Sequence, residues 1–364
     1  TYQLDDIHIE RIVSRRMRDL NRRLARTQLG RFSNAALFHA EARSVRRSLR
    51  SRSFDMIHTF GYSPATAAAI RWSRDHDIPL VIELVNTGPT PYQYLPGLKR
   101  FSPYDLAHQS VIVAISRDLG DLCQGLGLNE NVWTRPNPVD TRKFEVSNNS
   151  DRLTARQKIS TASENDILVV YVAKYLNRKK HSFLLEVLAK LPARFKLVLA
   201  GPALEDRDLV PGLKADQIPI LKQRANALGI GDRVEITHGF VDMVEYLAAA
   251  DVFCFPAQDE GMGTPLLEAL SSGTPVVANA DEPSFGEWII DGENGYLAPL
   301  NAEQWASAVQ AAAEFGETQR KQISQSVKAR ISSDVIDKQY LRLMNTLAET
   351  APGQAVDVEQ VLSS

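Results

Sequence analysis

Residues 251 to 280, DVFCFPAQDEGMGTPLLEALSSGTPVVANA, constrain this chain more than any other stretch. They read as strand, loop, helix, strand. Asp251 to Pro256 is a short apolar run with β-branched and aromatic residues, the pattern of a buried strand. The loop Ala257-Gln258-Asp259-Glu260-Gly261-Met262-Gly263 holds two carboxylates and two glycines. Helical spacing starts near Thr264, Gly273-Thr274-Pro275 ends it, and Val276-Val277 opens the next strand. A glycine loop feeding a helix start is an anion site, because free backbone N–H groups and the positive end of the helix dipole point into it. Glu260 sits in that loop. Glu268 lies four residues after Thr264 and projects from the same helix face near the same terminus. Carboxylates accept hydrogen bonds from hydroxyls and do not bind phosphate. Hydroxyls on both sides of a phosphate imply a nucleotide sugar, with a ribose at one end and a hexose at the other.

The ordered set Glu260, Gly261-Met262-Gly263 and Glu268, followed by Gly273-Thr274-Pro275-Val276-Val277, resembles the signature of glycosyltransferase family 4, a retaining GT-B group. The resemblance implies an α/β fold of two doubly wound Rossmann-like domains facing across a cleft. It also implies that Glu260 binds donor-sugar hydroxyls, that the Gly261 to Thr264 backbone meets sugar and phosphate, and that Glu268 binds the ribose. Met262 stands where relatives often carry an aromatic residue, either packed over the ligand or in the core. The segment Ala173-Lys174-Tyr175-Leu176-Asn177-Arg178-Lys179-Lys180 is similar to the family's Gly-Arg-x-x-x-x-Lys, with Lys174 at the arginine and Lys179 at the lysine. Cations belong there because a departing nucleoside diphosphate gains charge in the transition state. Lys174 gives a point charge instead of a bidentate fork. Gly239-Phe240 resembles the segment that approaches the base, and His238 beside it reads as structural. Glu287 falls at a family glutamate whose role stays open.

At 364 residues the chain should hold about two domains. No apolar run reaches the ~20 residues that span a bilayer. No signal peptide is visible. Cys123 and Cys254 are too few for a disulfide framework and read as buried free thiols. The cytoplasm is the expected compartment. The net charge of −2 hides an asymmetry, since residues 1 to 53 hold thirteen arginines, no lysine and five acids. Residues 7 to 52 read as helices whose arginines form either a solvated face or, over 11 to 52, a surface for peripheral contact with anionic membrane. No recognition motif points to nucleic acid.

From Phe54 the pattern alternates. Asp55 to His58, Pro79 to Val85, Ser110 to Ile115 and Val132 to Arg135 read as strands. Ala65 to Asp75 and Asp118 to Leu126 read as helices, and 87 to 105 as a proline-bearing loop. Residues 141 to 165 are polar and linker-like. A second alternation runs through strands Ile167 to Val172, Phe195 to Ala200 and Val234 to Thr237, with helices Ser182 to Lys190, Gln217 to Leu228 and Met243 to Ala249. Alternation of this kind implies parallel sheets. The expected domains are 1–150 on the acceptor side and 160–333 on the donor side. A helix at about 335–349 crosses back to the first, and 350–364 is a frayed tail.

The first domain resembles the family less. Asp55-Met56-Ile57-His58 is similar to the family's Asp-x-x-His, so His58 is either an acceptor-side residue or a structural histidine at a strand end. Val85-Asn86 stands where many relatives carry a histidine facing the reaction centre; some relatives have a glutamate like Glu83 in this strand. Relatives open with a strand and a glycine-rich loop. The amino-terminal domain is therefore expected to be truncated. Asp206-Arg207-Asp208 looks like the metal motif of a different transferase architecture, but its loop setting argues against metal. The resemblance implies metal-independent transfer of a sugar from a nucleoside-diphosphate sugar to a glycan, lipid-linked or small-molecule acceptor, with no cofactor. A sugar-nucleotide epimerase and a non-catalytic sugar-nucleotide-binding protein are the alternatives.

Overall fold

The computed structural model describes residues 2–4, 7–9, 30–50, 52–61, 63–85, 110–125, 131–203, 218–351 and 354–363. The chain forms two compact units. The first comprises Thr1–Ile115, Leu119–Arg135 and Gln339–Ser364, and the second Ser116–Asp118 and Pro136–Lys338. Each is built on a wholly parallel sheet whose strands alternate with helices, so both are Rossmann-like.

In the first unit, β1 (Tyr2–Leu4) and β2 (Ile7–Ile9) form an antiparallel pair in the register Tyr2↔Ile9. This corrects the helical reading of residues 7 onward. Tyr2-Gln3-Leu4 and Ile7-His8-Ile9 alternate apolar and polar residues at period two, on either side of Asp5-Asp6, which is a hairpin signal. Helix α1 spans Gly30–Leu49. The parallel sheet follows, with β3 (Ile57–Phe60), β4 (Leu80–Leu84), β5 (Ser110–Ala114) and β6 (Val132–Thr134) in sequential order. The two middle strands are buried along their whole length, which explains the runs LVIEL and SVIVA. Helix α2 (Pro64–His76) starts where its sequence says it should. Ser63 Oγ accepts from Thr66 N–H at 3.3 Å and Pro64 occupies the first turn. Helix α3 spans Arg117–Gly125. The loop expected over 87 to 105 and Asn86 lie outside the described residues, as do 11 to 29.

The second unit holds α4 (Asn149–Ile159), β7 (Ile167–Val172), α5 (His181–Lys190), β8 (Phe195–Gly201), α6 (Ile218–Ala227), β9 (Val234–His238), α7 (Met243–Ala249), β10 (Val252–Phe255), α8 (Thr264–Ser271), β11 (Val276–Asn279), β12 (Gly295–Ala298), α9 (Ala302–Ala313) and α10 (Glu317–Ile331). The polar stretch 141 to 165 is therefore more than a linker. Asn148 caps α4 by accepting from Asp151 N–H at 2.9 Å, and Ala155, Arg156 and Ile159 are buried. Helix α11 (Ser333–Glu349) begins in the second unit, and from Gln339 onward it belongs to the first. The expected frayed tail instead contains α12 (Val358–Ser363), with Val356 and Val358 buried. Two apolar side chains at alternate positions suffice to pin so short a segment. Cys123 and Cys254 are free and buried, and burial pushes the Cys123 thiol up to about 12.

The six strands of the second sheet lie in the order β12-β11-β10-β7-β8-β9. The winding reverses between β7 and β10. At the amino ends of this pair, Asp251 sits 14% exposed and accepts from Leu168 N–H at 2.7 Å, from Arg156 at 3.2 Å and from Arg152. Arg320 of α10 donates to the carbonyls of Ala250 (2.7 Å) and Asp251 (3.2 Å), and burial draws its guanidinium down to about 10. Removing this carboxylate strands two guanidinium groups and a strand N–H. We expect Asp251→Ala to cost about 3–5 kcal/mol of stability, read as a lowered urea midpoint, because breaking a buried pair leaves uncompensated charge. A loss under ~1 kcal/mol would show that the cluster is solvated rather than structural.

Candidate functional site

Ligands of open α/β sheets bind beyond the carboxyl ends of the strands where the winding reverses. In the second unit that point lies beyond Val172 of β7 and Phe255 of β10. After β7 the chain makes the turn Asn177–Lys179, and Lys180 adopts φ +58° before α5 begins without a side-chain cap. Gly201, at the end of β8 with φ +144°, lets the chain leaving β7 pass close by: a Cβ there would lie 2.1 Å from the Ala173 carbonyl oxygen. Ala173 itself stands at the family's glycine. After β10, the loop 257 to 263 ends in Gly263, which adopts φ +76° and directly precedes α8, again with no side-chain cap. A Cβ on Gly263 would meet Phe255 at 2.6 Å and Phe285 at 2.9 Å, so only glycine fits. Two helix N-termini with uncapped N–H groups thus follow the strands of the switch point, as an anion site requires.

The structure brings Lys179 and Glu260 together. Lys179 Nζ donates to Glu260 Oε1 at 2.5 Å, and each side chain is 12% exposed. Burial lowers the Lys179 pKa; the Glu260 charge opposes that shift, while Arg178 and Lys174 add to it. Lys179 is further fixed by Tyr171, whose hydroxyl donates to its carbonyl at 2.9 Å, and its Nζ lies 5.5 Å from the Phe255 ring centroid. Lys174 is exposed. Glu268 lies on α8, half-buried, and burial pushes its carboxyl up to about 7 despite the opposing charge of Lys143. Thr264 Oγ1 accepts from Asn137 Nδ2 at 2.8 Å.

Other sequence-level candidates fare differently. The Met262 side chain is 1% exposed, so it belongs to the core and only its backbone remains for a ligand. Phe240 is 92% exposed after Gly239, which adopts φ +122°. His238 Nδ1 accepts from Ala203 N–H at 3.1 Å, a structural contact. Burial raises the Glu287 carboxyl. In the first unit, His58 Nε2 lies 3.1 Å from Glu83 Oε2. Glu83 also accepts from Arg135 and from the Tyr340 hydroxyl (2.8 Å), while Arg135 donates to that hydroxyl at 2.6 Å. Burial alone would raise Glu83, but the His58 hydrogen bond, the Arg135 charge and Tyr340 outweigh it and hold the carboxyl below its ordinary range. His58 thus lies at the solvent-facing edge of a polar network centred on the buried Glu83. Asp206-Arg207-Asp208 lies outside the described residues.

Three residues escaped sequence reasoning. Arg178 donates to Glu260 and to the carbonyls of Gln258 (3.4 Å) and Asp259 (3.3 Å), although the basic run gave no reason to prefer it. Glu282, just after β11, accepts from Glu260 N–H at 3.2 Å. Asn137, between Pro136 and Pro138, reaches Thr264. None of the three carries a local sequence signature, because each meets its partner across the fold.

Residues 154–329 match the family model for glycosyl transferases group 1, and residues 8–143 match that for glycosyltransferase family 4. The lipopolysaccharide core biosynthesis glycosyltransferase LpsE of Rhizobium meliloti (strain 1021) is 30% identical over 197 residues, 52% of this chain and 52% of that protein. The lipopolysaccharide glucosyltransferase WaaG of Escherichia coli (strain K12) is 29% identical over 171 residues, 46% and 43% of the two chains. The chain thus spans about half the length of these curated relatives. Among solved structures, Anabaena Alr3699/HepE in complex with UDP and glucose is similar with a TM-score of 0.66 at 20% identity, covering 88% of this chain and 83% of that one. Sucrose-phosphate synthase from Thermosynechococcus elongatus gives a TM-score of 0.71 at 19% identity, covering 85% and 79%. At such identity the likeness speaks for the fold, which both family segments fit. The chain belongs to the group 1, family 4 glycosyltransferases.

Proposed function

We propose that this chain is a retaining, metal-independent glycosyltransferase that moves a sugar from a nucleoside-diphosphate sugar to an acceptor. The observation that carries this reading is the convergence of Lys179, Glu260 and the Gly263 helix start beyond β7 and β10. In this reading Lys179 and Lys174 neutralise the diphosphate, with the α8 N–H groups beside it. Glu260 orients the sugar hydroxyls, Glu268 orients the ribose, and Gly239-Phe240 meet the base. A donor enters by exchanging the Lys179–Glu260 contact for phosphate on the lysine and hydroxyls on the carboxylate. The reaction is a front-face displacement through an oxocarbenium-like state. The bond from the anomeric carbon to the diphosphate breaks, the acceptor oxygen bonds to the same face, and the leaving phosphate takes the acceptor proton. Positioning and charge stabilisation supply the rate, and no protein base is required. HepE was crystallised with UDP and glucose, which supports a UDP-sugar as the first donor class to test. LpsE and WaaG, both named for lipopolysaccharide synthesis, support a cell-envelope glycan or glycolipid as acceptor.

One observation favours a second reading. Val85, which stands where many relatives carry a histidine, and His58, engaged by Glu83, leave the first unit's described residues without the family's histidine at that position. A sugar-nucleotide-binding protein without turnover would tolerate this; it would bind donor by calorimetry and release neither free sugar nor glycoside.

In the described part of the arginine-rich 11–52 segment, Arg43, Arg47 and Arg50 are exposed. Among the described residues no helix is long and apolar enough to cross a membrane. We assign this segment to peripheral contact with an anionic membrane surface at the cytoplasmic face.

Lys179→Ala and Glu260→Ala should each cut transfer by ~100-fold or more when assayed well below the variant's own thermal midpoint, since loss of a transition-state contact typically costs that much, while the midpoint itself falls because a buried pair is broken. Wild-type-like turnover in both would reject the site. Glu268 supplies a pH test. Its carboxyl is raised to about 7 in the fold, so the stability linked to it is fully present below the ordinary carboxylate pKa and lost as pH rises through about 7. Glu268→Gln carries no charge and should be more stable than wild type at pH 8 by ~1–2 kcal/mol, with the difference vanishing in acid. The same variant should bind UDP more weakly. Equal urea midpoints at pH 8 would show that Glu268 is solvated. Finally, the chain should co-sediment with phosphatidylglycerol vesicles at low salt and detach as screening rises; binding to neutral vesicles alone would refute the electrostatic assignment.

A further inference from the structure

The loop that carries Glu260 is held from two sides by groups of opposite charge. On one side the Arg178 guanidinium takes the carbonyl oxygens of Gln258 and Asp259, and Gln258 N–H donates back to the Arg178 carbonyl at 2.9 Å. On the other side the Glu282 carboxylate takes the N–H of Glu260 at 3.2 Å, with the Asp259 N–H acting in the same sense. Between them Asp259 adopts φ +56°, a left-handed conformation that costs a non-glycine residue on the order of 1 kcal/mol. Such a conformation persists only where its surroundings over-determine it. Arg178 orients the peptide carbonyls and Glu282 the N–H groups, and together they fix the plane of the peptide that precedes Glu260. Glu282 itself lies in none of the motifs that define the donor site.

We propose that Glu282 is the positioning residue for Glu260, its ionised carboxylate locking the loop 257–263 in the conformation that aims Glu260 at Lys179, so that the lock weakens on protonation. Glu282 is 7% exposed. Its environment favours titration near neutrality. Burial, the largest cause, and the charges of Glu260 and Asp259 raise its carboxyl, the two backbone N–H groups partly offset the rise, and the net position is about 7. The groups packed around it are Asp259 and Glu260 from the loop and Asn279 from β11, whose carbonyl accepts from Glu282 N–H at 3.2 Å and whose Nδ2 donates to Ala257 O at 3.3 Å. The nearby cations Lys179 and Arg178 are engaged with Glu260. Losing the Glu282 charge weakens charge-assisted bonds to two N–H groups, and it is these bonds that hold Asp259 in place.

The kinetic part of this assignment rests on the donor-sugar role proposed for Glu260; the loop conformation does not. Hydrogen–deuterium exchange on the full chain without ligand separates the two. Peptides spanning 257–263 should exchange ~10-fold faster at pH 6 than at pH 8 after correction for intrinsic rates, because the N–H protection is lost with the charge. Glu282→Gln should exchange at one corrected rate at both values. Glu268→Gln should keep the wild-type step, and the β7 amides should stay protected in all three proteins, which controls for folding. In the transfer assay, Glu282→Gln should lower kcat several-fold at pH 8 with donor KM held, since the lock aims a group already in place. A pH-independent loop in wild type, or a step that survives in Glu282→Gln, overturns the proposal. If no nucleoside-diphosphate sugar is turned over by any of the proteins, the functional reading fails while the exchange result still decides the lock.

Discussion

The pairing of β7 with β10 governs the second unit. These two strands, in the register Val169↔Val252 and Val170↔Phe253, are distant in sequence and adjacent only because the winding reverses between them. Their amino ends are fastened by Asp251, which takes Leu168 N–H and two arginines in a half-dry setting. Their carboxyl ends diverge into two loops, one ending in Lys179 and the other carrying Glu260. One strand pair therefore places a structural ion cluster at its base and the candidate donor-site cluster at its top. The first has its charges matched by fixed hydrogen bonds. The second leaves its charges in loops whose backbone amides face outward from helix starts, where an entering anion can replace them.

The electrostatics of the upper cluster follow from a shortage of cations relative to carboxylates. Glu260 is met by Lys179 and Arg178, but Glu268 and Glu282 are each pushed up to about 7 by burial, and only distant or backbone groups counter that push. Burying a carboxylate without a full partner is costly. For Glu268, proposed above as the ribose ligand, donating hydroxyls would stabilise the ionised form, whereas Glu282 takes that stabilisation from the Glu260 and Asp259 N–H groups. Lys179 shows the mirror image: burial lowers its pKa, and a phosphate beside it would oppose that shift as Glu260 does.

The second unit was legible in the sequence because its strands are continuous apolar runs and its turns are glycine and proline marked. IleLeuValValTyrVal and ValPheCysPhe admit few alternatives, and Gly263 is demanded by contacts that a Cβ would violate. What the sequence hid is of two kinds. Partners that meet across the fold, such as Asp251 with Arg152 and Arg156 or Glu282 with Glu260 N–H, carry no local signature, since each looks like an ordinary surface charge in its own segment. Short elements were hidden too. The β1–β2 pair was lost inside an arginine-rich composition, and α4 and α12 were masked by polar residues around a few buried anchors, Ala155 and Ile159 in one case and Val356 and Val358 in the other.

His58 shows where motif and physics part. Its position fits a family pattern, and sequence alone left catalysis and structure equally open. The structure makes Glu83 the centre of its surroundings: this glutamate, 5% exposed in the middle of β4, must find donors or raise its pKa. Arg135 and the Tyr340 hydroxyl supply them, and His58 adds a further contact. The net effect holds Glu83 below its ordinary range, which requires the donors to outweigh burial. His58 thus stands against a carboxylate that the fold has to satisfy, which is the structural half of the two readings its motif allowed.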